Sequence, residues 1–82
     1  MSDAQRAETT VRDFVRRMKQ VDDLDLDAPL YADGIGLDSL ETAELSAVLE
    51  DELGTDPFSA DLMPQTAREI VSFYADDVTS QA

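Results

Sequence analysis

The residues able to do chemistry among these 82 are hydroxyls and carboxylates, because the chain has no His and no Cys. That absence removes imidazole-driven nucleophilic triads, imidazole and thiolate metal sites, Cys nucleophiles and disulfides. The missing Cys also fits a reducing compartment. Carboxylates are plentiful: 19 Asp+Glu face 6 Lys+Arg, for a formal net charge of −13. Asp23-x-Asp25-x-Asp27 has the opening rhythm of a calcium loop, but Ala28 stands where the sixth position needs Gly and Gly34 where the twelfth needs Glu. No dedicated metal site is expected from it. Carboxylate pairs suited to glycosidic chemistry exist in number, yet a domain this small cannot wrap a deep cleft around them. The remaining constellation is Gly36-Leu37-Asp38-Ser39-Leu40-Glu41, where a hydroxyl sits at the junction of an Asp-rich loop and a helix. A hydroxyl in the first helical turn holds any attached phosphate against unsatisfied backbone N–H groups and the positive end of the helix dipole. The bland alternative is that Ser39 merely caps the helix, as Ser often does. Ser2, Ser46, Ser59, Ser72 and Ser80 lack this setting and read as cap or surface residues.

Amphipathic segments must position that junction. Ala4, Ala7, Val11, Phe14, Val15, Met18 and Val21 recur at spacings of three and four, which predicts a first helix with Ser2 or Asp3 as its cap and Asp22-Asp23 at its end. Residues 22–38 read as a loop punctuated by Pro29, Gly34 and Gly36 and pinned by Leu26, Leu30, Tyr31, Ile35 and Leu37. It is long for so small a domain, and long ordered loops are usually functional. A second helix runs from Ser39 to Leu53 and stops at Gly54. Leu45, Val48, Leu49 and Leu53 form its core face, while Leu40, Ala43, Glu44 and Ala47 form a second stripe that suggests a docking surface. Pro57–Leu62 predicts a short helix with Asp56 as N-cap and Pro57 as its first residue. A last helix spans about Gln65–Val78, with Ala67, Ile70, Val71, Phe73, Tyr74 and Val78 as its apolar positions. Phe14, Phe58, Phe73 and Tyr74 read as core, with Phe58 also placed to line a channel between helices. The expected fold class is all-α: a four-helix bundle of three long helices and one short. It forms a single domain over 1–82, ordered over about 3–78, with a frayed tail at 79–82.

Over nearly its whole length, and most sharply from Gly36 to Gly54, the chain resembles the acyl carrier protein family, the phosphopantetheine-binding four-helix domains of fatty acid, polyketide and nonribosomal peptide synthesis. Asp38-Ser39-Leu40 matches the family's Asp-Ser-Leu signature leading into an acidic helix, and the helix order, long first loop and chain length agree. The resemblance implies that Ser39 receives 4′-phosphopantetheine from coenzyme A as a phosphodiester, and that Asp38 assists that transfer by helping to hold the transferase's Mg²⁺. It further implies that Leu40, Ala43, Glu44 and Ala47 meet partner enzymes, flanked by the acidity of Glu41, Glu50 and Asp51. The implied partners are a phosphopantetheinyl transferase and a ketosynthase, acyltransferase or adenylating ligase with basic docking patches. A thioester carrier needs a thiol that this chain lacks, so the cofactor must bring it. No catalytic residue is expected, and tethering raises the local concentration of cargo at each docked enzyme.

Ala43 stands where primary fatty acid carriers often have Val, and Asp56-Pro57-Phe58 through Met63-Pro64-Gln65 departs from their third-helix region. Both differences favour a discrete carrier in polyketide or related secondary-metabolite biosynthesis, with antibiotic pathways included, over fatty acid synthesis. The rival from another class is a cofactor-free acidic helical adaptor. Charge narrows the partners further: residues 1–19 hold five of the six bases, whereas residues 20–82 hold Arg68 alone against sixteen acids. Nucleic acid and anionic membrane surfaces need clustered Lys/Arg and are not expected. The polar start Met-Ser-Asp-Ala-Gln-Arg leads into no apolar run, so a cytoplasmic monomer is expected.

Overall fold

Ser2 and Gln5 start the first helix by capping each other. In the computed structural model, which describes residues 2–31, 34–59 and 63–80, with side chains of the last helix as far as Ala75, Ser2 accepts from the Gln5 amide and Gln5 from the Ser2 amide. That reciprocal pair satisfies two of the donors orphaned at a helix start. Helix α1 (Asp3–Lys19) buries Ala7, Val11, Phe14 and Val15. It ends earlier than Asp22-Asp23 suggest: Gln20 turns left-handed (φ 59°) and returns its N–H to Arg16 O, leaving Val21 outside the helix. Helix α2 (Ser39–Leu53) has the bounds its periodicity predicts and closes at Gly54 in the left-handed region. Leu45 and Leu49 are fully buried, with Val48 and Leu53 packed beside them.

Helix α3 (Ala67–Ser80) begins and ends two residues later than expected. The delay at its start has a tertiary cause. Gln65 O accepts the Leu30 amide, Thr66 pairs with Pro29 in an isolated antiparallel bridge, and Thr66 Oγ1 caps the helix by accepting the Glu69 N–H. Ala67, Ile70 and Tyr74 are its buried face, and Phe73 meets Tyr74 edge-on with ring centroids 5.1 Å apart. Tyr74 also donates its hydroxyl to Thr55 O at 2.7 Å.

The class is all-α, with three helices and no strand among the described residues. The expected fourth helix is a turn over residues 57–59, started by Asp56, whose Oδ1 accepts the Ser59 N–H at 2.9 Å; Ala60, Asp61 and Leu62 lie outside the described residues. So do residues 81–82 of the expected frayed tail. Helix α1 packs closely against both α2 and α3, while the backbones of α2 and α3 stand farther apart and share the same core. Residues 55–59 and 63–66 lie between them, Phe58 and Met63 lining a groove beside α2, and Pro57, Met63 and Pro64 lining a smaller one beside α3.

The loop ahead of α2 is anchored to the start of α3. Besides the Leu30–Gln65 bond, Arg68 N–H donates to Leu26 O and the Arg68 guanidinium pairs with Asp27. Leu24, Leu30 and Leu37 are buried beneath it. Gly34 is required here: a Cβ would stand 2.2 Å from Pro29 O, with no flexible atom to yield.

Candidate functional site at the start of helix α2

Gly36 adopts φ 84°, a left-handed conformation that side chains resist, and its N–H returns to Tyr31 O. Leu37 is then buried, and the chain passes through an extended Asp38 so that Asp38 and Ser39 lie on the surface. Asp38 is the N-cap of α2. Its Oδ1 accepts the Glu41 N–H at 2.8 Å, and Glu41 Oε1 accepts the Asp38 N–H at 3.1 Å. With the cap filled by Asp38, the reading of Ser39 as a capping serine is set aside. Ser39 is the first residue inside the helix, exposed, with no side-chain hydrogen bond among the described residues. Its hydroxyl stands free at the end of α2 where backbone N–H groups lack partners and the dipole is positive.

Lys19, the last residue of α1, reaches across to this cap. Its Nζ lies 2.9 Å from Glu41 Oε1, with side-chain exposures of 27% and 17%. Glu41 is therefore turned inward to brace the junction. Leu40, Ala43, Glu44, Ala47, Glu50 and Asp51 all face solvent, and Leu40 is 69% exposed. The second stripe of α2 thus lies open beside Ser39, rimmed by carboxylates.

A groove of about 720 Å³ opens at Ser39. One wall is the α2 face carrying Thr42, Ala43 and Ser46; the other is built from Phe58, Ser59 and Met63, with Tyr31 and Leu37 at its base. Sequence reasoning placed Phe58 here but took Ser46 and Ser59 for cap or surface positions. The structure joins them through Asp56, whose Oδ1 receives the Ser46 hydroxyl at 2.8 Å as well as the Ser59 amide. Asp56 is 1% exposed. The signal for this cluster was Ser46 beside Leu45 on α2, together with the Asp-Pro start of the next turn, and neither reveals a partner ten residues away.

Tyr31 donates to Pro64 O at 3.3 Å, and burial together with the Glu69 charge raises its phenol pKa. The Tyr74 phenol is held well above its ordinary range by burial, with the charges of Asp56 and Asp3 adding to the effect. Neither phenol is poised as a base near neutrality. The aspartates of the calcium-like stretch are engaged locally: Asp25 accepts the Asp27 N–H and Asp27 pairs with Arg68. No group of three or more acidic ligands able to hold a metal ion occurs among the described residues.

The family model for the phosphopantetheine attachment site matches residues 8–74, most of the chain. The chain belongs to that family. It is a carrier domain of the acyl carrier type, and the group such domains carry is a covalently attached 4′-phosphopantetheine. Carrier domains serve phosphopantetheinyl transferases and synthase enzymes as substrates and are not themselves catalysts. No curated protein and no solved structure matches the chain. The residues of this carrier fit the group: a free hydroxyl at a helix start, unpartnered backbone donors for a phosphate, and an adjoining groove. When bound, the arm supplies the thiol on which a thioester forms. No helix among the described residues is long and apolar enough to cross a membrane.

Proposed function

We propose that Ser39 is the attachment point for 4′-phosphopantetheine, and that this carrier moves acyl or aminoacyl thioesters between enzymes of a polyketide or related secondary-metabolite pathway. The observation that carries the reading is the division of labour at the helix start: Asp38 takes the capping role and leaves the Ser39 hydroxyl exposed and unbonded. In the loading reaction the Ser39 oxygen forms a bond to the β-phosphorus of coenzyme A's pyrophosphate. 3′-Phosphoadenosine 5′-phosphate departs, and the hydroxyl proton passes to a base on the transferase. Asp38 accepts the Glu41 N–H with Oδ1, and its exposed side chain keeps the second oxygen available to the transferase's Mg²⁺.

The open stripe of Leu40, Ala43, Glu44 and Ala47, with Glu50 and Asp51 beyond it, is the surface offered to basic patches on a ketosynthase, acyltransferase or adenylating ligase. Its acidity favours fast encounter and partner choice more than raw affinity. Ala43 in place of Val and the rebuilt stretch from Asp56 to Gln65 set this chain apart from primary fatty acid carriers and support the secondary-metabolite assignment. A discrete monomeric state and a cytoplasmic setting complete the reading.

Intact-protein mass spectrometry after incubation with coenzyme A, Mg²⁺ and a broad-specificity phosphopantetheinyl transferase tests it, with Ser39→Ala in parallel. One phosphopantetheine increment on the wild type and none on the variant is the expected result. An increment retained by Ser39→Ala overturns the assignment of the serine, and a folded wild type that an active transferase leaves unmodified favours the cofactor-free adaptor.

A further inference from the structure

The hydroxyls that line the groove beside Ser39 have largely spent their hydrogens inside the protein. Thr42 Oγ1 donates to Asp38 O at 2.8 Å, Ser46 Oγ to Asp56 Oδ1 at 2.8 Å, and Tyr31 Oη to Pro64 O. A hydroxyl whose proton is committed presents lone pairs to whatever lies on its other side. Within a mostly apolar lining, the α2 wall of the groove therefore carries a row of acceptors. Behind Ser46 stands Asp56, 1% exposed, with Oδ2 lacking any hydrogen-bond partner among the described residues. Asp38 adds a second carboxylate at the mouth.

We infer that this groove selects the cargo, preferring a short acyl group that carries a hydrogen-bond donor, an ammonium above all, over an unbranched alkyl chain. The inference rests on attachment of the arm at Ser39. Ser46 stands seven positions after Ser39 along α2, about 10 Å of helix, a span within reach of the flexible arm. An alkyl chain lying over Thr42 and Ser46 would strip water from acceptors and return no hydrogen bond, and would deepen the isolation of the Asp56 carboxylate. An ammonium at the same place donates to Ser46 Oγ and is drawn by the carboxylate behind it in a partly desolvated setting, where charge-assisted bonds are strongest. Phe58, Met63 and Leu37 supply apolar contact for the few methylenes between thioester and amine.

The matched pair that tests this is β-alanyl and butanoyl, nearly identical in shape, each loaded on the phosphopantetheine-bearing protein and compared with the unloaded form by NMR amide shifts. The β-alanyl thioester is expected to displace the amide signals of Thr42, Ser46 and Ser59 several-fold more than the butanoyl thioester. Measured against the corresponding free pantetheine thioesters, its hydrolysis is expected to be slowed several-fold more than that of the butanoyl thioester. Both differences should collapse in Ser46→Ala and in Asp56→Asn. Should the latter fail to fold, Ser46→Ala and Thr42→Val carry the comparison. Equal shifts from both thioesters mean that the arm itself occupies the groove and overturn cargo selection, as does a larger effect of butanoyl or an undiminished difference in Ser46→Ala. A protein that takes no phosphopantetheine overturns the attachment reading with it, so the two failures are distinct.

Discussion

Replacing Asp38 and Ser39 in turn separates the capping role from the carrier role at the junction. Asp38→Ala removes the acceptor that holds the Glu41 N–H at 2.8 Å. Loss of such a cap costs about 1 kcal/mol, and it falls on a helix that supplies Leu45 and Leu49 to the core. For a domain of this size about 1 kcal/mol lowers the melting temperature by roughly 4–8 °C. Asp38→Asn keeps a side-chain oxygen in the same place, and Asn caps about as well as Asp. Its loss is confined to the charge beside the helix dipole, about 0.3–1 kcal/mol, and is offset in part by relief of the net negative charge. Ser39→Ala should be neutral within about 0.5 kcal/mol, because a surface position without a partner contributes little. Thermal unfolding by circular dichroism gives the stability order: wild type and Ser39→Ala together, Asp38→Asn slightly below, Asp38→Ala lowest. The rate of phosphopantetheine addition gives a different order, with Ser39→Ala inert and both Asp38 variants slowed. A Ser39→Ala protein destabilised as much as Asp38→Ala would refute the assignment of the cap. Asp38→Asn modified at the wild-type rate would refute any role for the carboxylate in the transfer.

Lys19→Met should slow phosphopantetheine addition and cost no more than about 1 kcal/mol of stability, since it releases Glu41 from a partly exposed ion pair. Lys19→Arg should restore the rate, and an unchanged rate in Lys19→Met would show that Glu41 holds its place unaided. Gly34→Ala should destabilise by about 1–3 kcal/mol in urea unfolding, because its Cβ would press on the Pro29 carbonyl. Stability should fall as pH rises above 10, the ordinary Tyr value. There the unfolded chain ionises its phenols while burial keeps Tyr74 protonated in the folded state, so the unfolded state binds fewer protons and gains ground. Tyr74→Phe should flatten that decline, and an unaltered pH profile would count against the buried phenol as its source. Glu44→Lys should slow encounter with a partner enzyme at low salt, with the difference shrinking as the screening length drops to about 10 Å near 0.1 M. Equal encounter rates at low salt would remove Glu44 from the docking surface.

Much of the molecule was legible because its signals are local. The bounds of α2, the cap at Ser2 and the outward stripe of Leu40, Ala43, Glu44 and Ala47 all follow from periodicity and from residues within four positions of one another. Ser39 stood out because it lies at a loop-to-helix junction in a chain without His or Cys, whereas the other serines lack that setting. Less was legible where two local choices were equally good. Ser39 and Asp38 are both favoured caps, and Gln20 ended α1 before the Asp22-Asp23 signal was reached.

By itself, then, the order of residues determined the bounds of α2, the presence of α1 and α3, the acidic outer stripe and the place of Ser39 at a helix start, since each depends on interactions spanning about a helical turn. Tertiary structure alone decided who meets whom across the chain. It brought Lys19 to Glu41, Arg68 to Asp27, Gln65 to Leu30 and Ser46 to Asp56. Those pairings depend on how α1 packs against α2 and α3 and on the path of the segment between them, and no local pattern encodes the closing of such loops. For that reason the candidate attachment residue was visible at once, whereas the groove beside it emerged only from the folded chain.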